Sequence, residues 1–317
     1  MGYIDVHHHI ITPEYAAAWK ASGKIPPNLT LPAWSVELDL SFLDRTGIDV
    51  AMLSVSAPGV EIASTPENAK SIARQLNQQA AGIRDLHPDR FGVFATLPLP
   101  DIAGAIEEVQ HALDVLRVDG VILLTSYEGK YLGHESFQPL WEELDRREAV
   151  VLIHPTTAKN PGAGHDPLMP RPIIDFPHET TRTAVHLITT KTVRKYCHCR
   201  IILSHGGGTL PYVATRIAHQ AADVGLLDLT AAEFLDDAKS FYFDLAITSY
   251  EGPVSMLESF AAKDHILWGS DFPFVREKTV HAQLEALESR ELRPEAKHSI
   301  SRGAASKIFP RFFRGST

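Results

Sequence analysis

The chain alternates between short, uninterrupted apolar runs and longer segments with helical periodicity. Eight apolar runs of five or six residues are rich in Val, Ile, Leu and Phe. Most of them lack the polar alternation of a half-exposed strand, which is typical of strands that are buried on both faces. The predicted strands span residues 2–6, 49–54, 91–96, 120–125, 150–154, 201–205, 241–246 and 265–269.

Helical patterns fill most of the intervals between these strands. The clearest begins at Thr65, a suitable N-cap, with Pro66 in the first helical position. The predicted helices span residues 66–86, 102–116, 137–147, 180–196, 210–222, 254–262 and 294–308. Strands that alternate with helices along the whole chain predict a parallel α/β fold, and eight strands in 317 residues favour a closed (β/α)8 TIM barrel. We expect a single domain over residues 1–317.

Two of the predicted βα loops are unusually long. Residues 11–34 include Pro26 and Pro27, and residues 155–177 are rich in Pro, Gly, Asn and His. Both loops follow the carboxyl ends of predicted strands, where barrel active sites lie. We therefore expect these loops to cap a pocket or to form a subunit contact.

Composition and charge exclude several classes of partner. The chain is 44% hydrophobic and 22% charged, as in globular proteins, and its formal net charge is −9. An acidic chain without a basic cluster argues against nucleic acid and against an anionic membrane surface. We find no uninterrupted apolar run of about 18 residues and no charged-then-apolar leader, so we expect neither a membrane span nor a signal peptide.

The two cysteines, Cys197 and Cys199, are only two positions apart. This spacing suits neither an ordinary disulfide nor a zinc knuckle, which needs two further ligands nearby. So few cysteines are compatible with a reducing cytosol, and we expect a cytoplasmic protein.

The first strand ends in three histidines, in the sequence Asp5-Val6-His7-His8-His9. Alternate side chains of a strand face the same side, so His7 and His9 are expected to point together and His8 away from them. Two imidazoles on one face form half of a divalent metal site. We expect His8 to be dispensable for that site.

Further polar residues lie at the carboxyl ends of later strands, and the fold brings these ends together. They are His154, His205, Asp244 and Asp271. Three imidazoles and a carboxylate meet the needs of Zn²⁺ or a similar ion such as Mn²⁺, with positions left for water and substrate.

These motifs together resemble the amidohydrolase superfamily, and within it the branch of aminocarboxymuconate-semialdehyde decarboxylase and γ-resorcylate decarboxylase. The resemblance spans nearly the whole chain. Segments 31–35, 131–134 and 177–183 are similar to 6-methylsalicylate decarboxylase-type sequences. The pieces that carry the broader resemblance are residues 5–9, 153–155, 204–212 and 269–273.

The resemblance implies a ligand set for one metal ion. His7, His9, His154 and Asp271 would ligate the metal, and His205 would be a catalytic group beside it. Some members carry Glu where His7 stands and lean towards Mn²⁺, so the histidine favours Zn²⁺. Two-metal amidohydrolases have a carboxylated lysine at the end of strand 4, and this strand has no lysine. We therefore predict one divalent ion.

The expected activity is non-oxidative decarboxylation of a salicylate-like aromatic or related unsaturated acid, with release of CO2. Asp271 would act as ligand and acid with assistance from His205. In the other version Asp271 is a ligand only, and His205 acts on a bound water. A metal-dependent hydrolase of a lactone, ester or amide is the alternative function, because fold and ligands do not separate the two.

Four further residues are candidates around the substrate. Arg216 could bind the substrate carboxylate. In relatives an arginine at this spacing reaches the active site, which is sometimes the active site of a neighbouring subunit. A solvated helix arginine is the alternative. Trp34 could stack on the ring or pack within its loop. Phe272 could form a pocket wall or pack in the core. Asp244 could orient His205 or cap local structure. The resemblance also implies a homodimer or homotetramer.

Overall fold

The computed structural model describes residues 2–26, 29–157, 170–226 and 228–312. Within these residues, eight parallel strands form one sheet in chain order. The strands are β1 (Tyr3–His9), β2 (Ile48–Ser54), β3 (Phe91–Thr96), β4 (Gly120–Leu124), β5 (Val150–His154), β6 (Arg200–Leu203), β7 (Tyr242–Asp244) and β8 (Ile266–Leu267).

The sheet closes because the segment after β8 pairs with β1. His8 and Phe272 form a parallel bridge. The amide of Asp271 donates to the carbonyl oxygen of His7 at 2.8 Å, one residue from that bridge. The predicted (β/α)8 barrel is confirmed.

Helices cover the outside of the barrel, and a short hairpin (Ser126–Tyr127 with Lys130–Tyr131) follows β4. The helices are α1 (Pro13–Ala21), α2 (Val36–Thr46), α3 (Pro66–Leu86), α4 (Ile102–Gln110), α5 (Gln138–Arg146), α6 (Arg171–Thr189), α7 (Thr192–Lys195), α8 (Leu210–Asp223), α9 (Ala231–Ser240), α10 (Glu251–Phe260), α11 (Glu277–Glu288), α12 (Pro294–His298) and α13 (Ala304–Ile308).

Several predicted boundaries were wrong. Helix α6 begins at Arg171, not at residue 180, and it contains Pro177 in its interior. The hydroxyls of Thr180 and Thr181 donate to the carbonyls of Phe176 and Pro177, one turn back in the helix. The second long loop is therefore shorter than predicted, and its residues 158–169 lie outside the described part of the chain.

The chain tail plugs the amino-terminal end of the barrel. The ring of Phe309, just after α13, meets the ring of Phe94 on β3 edge-on, with centroids 5.7 Å apart. Ile4 and Val6 of β1 pack in the same buried cluster as α13. The opposite end, where the strands point their carboxyl ends, is left for a site.

The side chains of strand β1 do not alternate regularly between the inside and the outside of the barrel. Ile4 and Val6 point into the barrel interior, so a regular strand would next turn His8 inward. The pairing of β1 with β2 is irregular between Asp5 and His8. At this irregularity the regular alternation of side chains is interrupted. The side chain of His7, rather than that of His8, therefore points into the barrel interior. No helix among the described residues is both long and apolar enough to cross a membrane.

Candidate metal centre

Four side chains from the carboxyl ends of β1 and β5 and from the segment after β8 converge on one point. His7, His9, His154 and Asp271 each offer one ligand atom, and these atoms lie within 4.8 Å of one another. All four residues are buried. Among the described residues, this is the one group of His, Cys, Asp and Glu side chains placed to hold a metal ion.

The spacing of three of the ligand atoms, those of His7, His9 and Asp271, fits one small divalent cation. The Nε2 atoms of His7 and His9 are 3.1 Å apart, and Oδ1 of Asp271 lies 3.5 Å and 3.2 Å from them. Two ligands on a tetrahedral zinc ion, each about 2.0–2.1 Å from it, are about 3.3 Å apart. The observed separations bracket that value.

Each of the three imidazoles uses its Nδ1 atom to contact an acceptor from the protein. His7 faces Oδ2 of Asp244 at 2.9 Å, and His9 faces Oγ of Ser54 at 2.8 Å. His154 faces the carbonyl oxygen of Pro155 at 2.8 Å. Nδ1 therefore carries the proton, and the lone pair of Nε2 is free to face the centre, as in most histidines that ligate metals.

Asp244 supports the centre in a different way from the one predicted. Its Oδ2 contacts the ring of His7, while its Oδ1 accepts the backbone amides of His205 and Ala246, both at 3.0 Å. The predicted contact with the His205 ring is absent within the described residues. Asp244 holds His205 through the backbone instead.

His205 and Asp271 face each other beside the centre. Nε2 of His205 lies 3.4 Å from Oδ2 of Asp271, and its Nδ1 is buried without a partner among the described residues. Both residues have positive φ angles, 55° and 59°. Left-handed backbone is unfavourable for such residues, and strain of this kind is concentrated at functional sites.

Burial and charge set the protonation of the centre. Burial lowers the pKa of His9 to about 4, and burial together with the neighbouring imidazoles holds the pKa of His154 well below its usual range. Burial alone would raise the pKa of Asp271, but the imidazoles of His205, His7 and His9 around its carboxylate keep it well below the usual value. Two neutral imidazoles and a carboxylate are therefore available as ligands.

His7 has the opposite tendency. Burial lowers its pKa, but the carboxylates of Asp244 and Asp271 outweigh that effect and raise the pKa to about 10. The negative charge that favours a proton on His7 also favours a metal cation at the centre.

A cavity of about 1580 Å³ opens onto the centre through His154, His205 and Asp271. Its described walls include side chains from the first long loop, from the start of α6 and from the loop after β7. Large apolar side chains line much of it: Trp19, Leu29, Ile173, Phe176, Ile247 and Phe274. Such a cavity suits a small molecule with one polar end and an apolar body.

The sequence model of one family, described as amidohydrolase, matches residues 4–311. The chain belongs to the amidohydrolase family. Its fold, with ligands at the carboxyl ends of β1 and β5 and after β8, is compatible with that assignment.

This amidohydrolase is similar to two fungal decarboxylases. It is 45% identical over 325 residues to the decarboxylase yanB of Aspergillus niger, an alignment that covers 98% of this chain and 88% of the relative. It is 41% identical over 316 residues to a 6-methylsalicylic acid decarboxylase of Penicillium expansum, covering 98% and 97%.

A solved structure has the same architecture. It is a 2,6-dihydroxybenzoate decarboxylase complexed with 2,6-dihydroxybenzoate, which matches with a TM-score of 0.81 and 26% identity. The match covers 98% of this chain and 99% of that one.

Three predicted substrate residues of this amidohydrolase lie elsewhere. Among the described residues, none of Trp34, Phe272 and Arg216 lines the cavity. Trp34 instead donates its Nε1–H to Oδ2 of Asp39 at 3.1 Å. Phe272 stacks on Phe42 with ring centroids 3.7 Å apart. Arg216 is exposed on α8.

Other wall residues were missed by the sequence analysis. Phe274 lines the cavity and packs edge-on against His9, with centroids 5.7 Å apart. The sequence carries no signal that assigns the cavity wall to Phe274 rather than to Phe272, because the two phenylalanines lie two positions apart beside the same ligand, Asp271. Ser54 was missed as the partner of His9, although it ends β2 beside it.

Proposed function

We propose that this amidohydrolase is a metal-dependent, non-oxidative decarboxylase of a salicylate-like aromatic acid. One observation carries the proposal: a buried centre of three imidazoles and a carboxylate opens into a cavity that large apolar side chains line in part. The 41% identity to a 6-methylsalicylic acid decarboxylase over nearly the whole chain supports the substrate class.

An alkyl substituent on the ring would suit the apolar part of the cavity wall, whereas a second hydroxyl would have to lie near the polar part, which includes Ser56, Thr156 and Thr248. A second ring hydroxyl needs a hydrogen-bonding partner, because an unpaired buried polar group costs about 1–3 kcal/mol. The walls formed by Phe176, Ile247 and Phe274 are apolar. A ring methyl group against such walls gains roughly 0.8 kcal/mol from burial.

The reaction adds one proton to the ring carbon that carries the carboxylate. The bond from that carbon to the carboxylate then breaks, its electron pair returns to the ring, and CO2 leaves. A divalent cation held by His7, His9, His154 and Asp271 would supply a Lewis acid and a template for neighbouring substrate oxygens. We assign the proton transfer to His205 and Asp271, and the 3.4 Å contact between Nε2 of His205 and Oδ2 of Asp271 supports this assignment.

The direct test is CO2 release from 6-methylsalicylate by the purified, metal-loaded protein. We expect one CO2 and one 3-methylphenol per substrate consumed, and a slower reaction with 2,6-dihydroxybenzoate. Protein stripped of metal by a chelator should release none. Cleavage of lactones or esters without any CO2 from either acid would instead support the hydrolase alternative.

Asp271→Asn and His205→Ala should separate binding from proton transfer. Asn keeps a ligand oxygen but cannot donate a carboxylic proton. If Asp271 provides the proton, Asp271→Asn retains metal and loses at least about 100-fold in kcat, within the range for a general acid. His205→Ala should also retain metal and lose most turnover. Full activity of metal-loaded Asp271→Asn would leave Asp271 as a ligand only. Elemental analysis and steady-state kinetics provide the two readouts.

We propose Zn²⁺ rather than Mn²⁺ as the native ion. Three of the four ligands are imidazoles, which suit Zn²⁺, whereas Mn²⁺ is better suited by carboxylate and water. Elemental analysis of protein purified without added metal, followed by reconstitution with each ion, tests this choice. A Mn²⁺-loaded, Zn²⁺-free protein with full activity would contradict it.

We also retain three predictions about the surroundings of the site: Arg216 as a carboxylate-binding residue, a homodimer or homotetramer, and a cytoplasmic location. Arg216 is exposed on α8 and, in the described part of the chain, does not line the cavity, so it would bind the carboxylate in a neighbouring copy; Tyr212, 76% exposed, lies one turn away on the same helix. Sedimentation of the wild type and of Tyr212→Ser tests the assembly. Free Cys197 and Cys199 are compatible with the cytoplasm.

A further inference from the structure

His8 lies between two metal ligands in the chain but on the other side of the strand. It is completely buried, and both of its ring nitrogens face carboxylates. Nδ1 lies 3.0 Å from Oδ2 of Asp5, and Nε2 lies 2.7 Å from Oδ1 of Asp39. A carboxylate accepts hydrogen bonds, so the ring donates from both nitrogens. Asp5, His8 and Asp39 are named here the His8 bridge.

One end of the His8 bridge reaches the metal ligands through the backbone. Oδ1 of Asp5 accepts the amide of His7 at 3.1 Å and the amide of Ser270 at 3.0 Å. Oδ2 accepts the hydroxyl of Ser270 at 2.6 Å. Ser270 directly precedes Asp271, so Asp5 fixes the backbone on which two of the four ligands stand.

The other end of the His8 bridge reaches the first long loop. Asp39 lies on α2, is completely buried, and accepts Nε1–H of Trp34 at 3.1 Å. The ring of His8 also packs against Phe272, with centroids 5.4 Å apart. The bridge therefore joins three separate segments: β1, α2 with its preceding loop, and the turn that carries Asp271.

Asp271 needs such external support. Its φ of 59° is unfavourable for a residue with a side chain, so the surrounding contacts must compensate for that cost. The hydroxyl of Ser270 accepts the amide of Phe272 at 3.0 Å while it donates to Asp5. The turn is thus tied to the His8 bridge on both sides of Asp271.

We propose that His8 is a positioning residue for the metal centre, acting by holding Asp5 against the backbone of His7 and Ser270. The facing of His8 agrees with the sequence analysis, but the predicted dispensability of His8 does not follow from these contacts. The inference rests on the metal centre and not on the identity of the substrate.

Metal binding without substrate tests the inference. Co²⁺ is bound to the stripped wild type, His8→Ala and Asp39→Asn, and its visible absorption and its competition with a fluorescent chelator are measured. Changes to groups that support metal ligands cost about 10–100-fold in affinity. We expect that loss in both variants, with altered Co²⁺ absorption, because the donors no longer meet at the same angles.

Asp119→Asn is the matched control. Asp119 is also a hydrogen-bonded carboxylate, with a side chain only 7% exposed, but it precedes β4 at the far end of the barrel, where it accepts the amide of Val93 at 2.8 Å and pairs with Arg311. This variant should lose stability while Co²⁺ affinity and absorption stay at wild-type values. Asp39→Asn keeps the size of the side chain, so it decides the question if His8→Ala does not fold.

The outcomes separate the inference from the proposed function. Folded Asp39→Asn that binds Co²⁺ with wild-type affinity and absorption would overturn the inference. A wild type that binds no Co²⁺ would overturn both the centre and the inference. A wild type that binds Co²⁺ but releases no CO2 from any salicylate would overturn the decarboxylase proposal alone, and the variants would still support the role of His8.

Discussion

At the scale of single residues, each ligand of the centre is fixed by a second contact. The three imidazoles are oriented through Nδ1, and Asp271 divides its oxygens between two ligand histidines and His205. These contacts determine which ring nitrogen of each ligand histidine carries the proton and where the lone pair of the other nitrogen points. Small changes beside a ligand should therefore alter metal binding more than overall stability.

Gly269→Ala is expected to disturb the centre through one added methyl group. A Cβ at this position would lie 2.7 Å from Cβ of His7, too close for real atoms and not relieved by a flexible side-chain end. His7 must shift, and metal affinity should fall about 10–100-fold. Gly82→Ala on α3 is the control, because nothing lies within 4 Å of its added Cβ. That control should gain roughly 0.5–1 kcal/mol of stability with unchanged metal binding.

Ile247→Gly is expected to trade substrate binding for stability. Ile247 is a β-branched residue at φ 59°, it is 44% exposed, and it lines the cavity. Left-handed backbone costs such a residue about 1–2 kcal/mol, and glycine avoids that cost. Part of the resulting gain in stability is offset, because glycine loses more conformational freedom on folding. The variant should keep or gain stability, while KM for 6-methylsalicylate rises roughly 3- to 10-fold as apolar contact is lost.

Lys191→Gly provides the comparison for Ile247→Gly. Lys191 also has a positive φ, 58°, but it lies in an exposed turn before α7. Its variant should gain stability without a change in KM. A rise in KM of equal size in both variants would argue that Ile247 does not touch the substrate.

At the scale of elements, buried strands were predictable, whereas helices α1, α2, α9 and α11 and the start of α6 were not. The predicted and observed bounds agree to within two residues for every strand except β1, which continues three residues past its predicted end, to His9. Helix α2 was missed because a carboxylate occupies a core position: Asp39, Phe42, Leu43 and Thr46 form its buried face. Asp39 is buried because it meets His8, a contact that no local pattern reveals.

The start of α6 was missed for a different physical reason. Pro177 ordinarily favours a helix start or break, yet here the helix continues through it. Pro177 has no amide hydrogen to donate to the carbonyl of Ile173, and the Thr181 hydroxyl donates to the carbonyl of Pro177 itself at 2.9 Å, in the following turn. Because of this continuation, Phe176 is helical and reaches the cavity wall.

At the scale of the whole molecule, the strand order predicted which residues meet, but not what surrounds them. The strand ends at one rim identified a wider group of candidates that includes His205 and Asp244, and the resemblance to the amidohydrolase superfamily selected the ligands among them: His7, His9, His154 and Asp271. Trp34 and Phe272 were predicted to contact the substrate because a sequence does not distinguish an aromatic residue that lines a pocket from one that packs against the core. Their observed partners, Asp39 and Phe42, come from another element.

Removing the metal should destabilise the folded barrel. A ligand that binds only the native state at 1,000 times its Kd contributes about 4 kcal/mol. Dialysis against a chelator should therefore lower the Tm of the wild type by several degrees, and added Zn²⁺ should restore it. His154→Ala, which lacks one ligand, should melt at nearly the same temperature with and without Zn²⁺. Equal Tm values for stripped and loaded wild type would contradict this expectation.

The contact between Asp5 and Ser270 joins residues that are 265 positions apart. A ribosome releases the amino-terminal part of a nascent chain first, so His7 and His9 are made long before the turn that carries Asp271. Until that turn arrives, β1 lacks its neighbour on one side, and the carboxylate ligand does not exist. Loading with the ion is therefore an event of the finished polypeptide, and translation that stops short of Asp271 yields a barrel with nothing to close it.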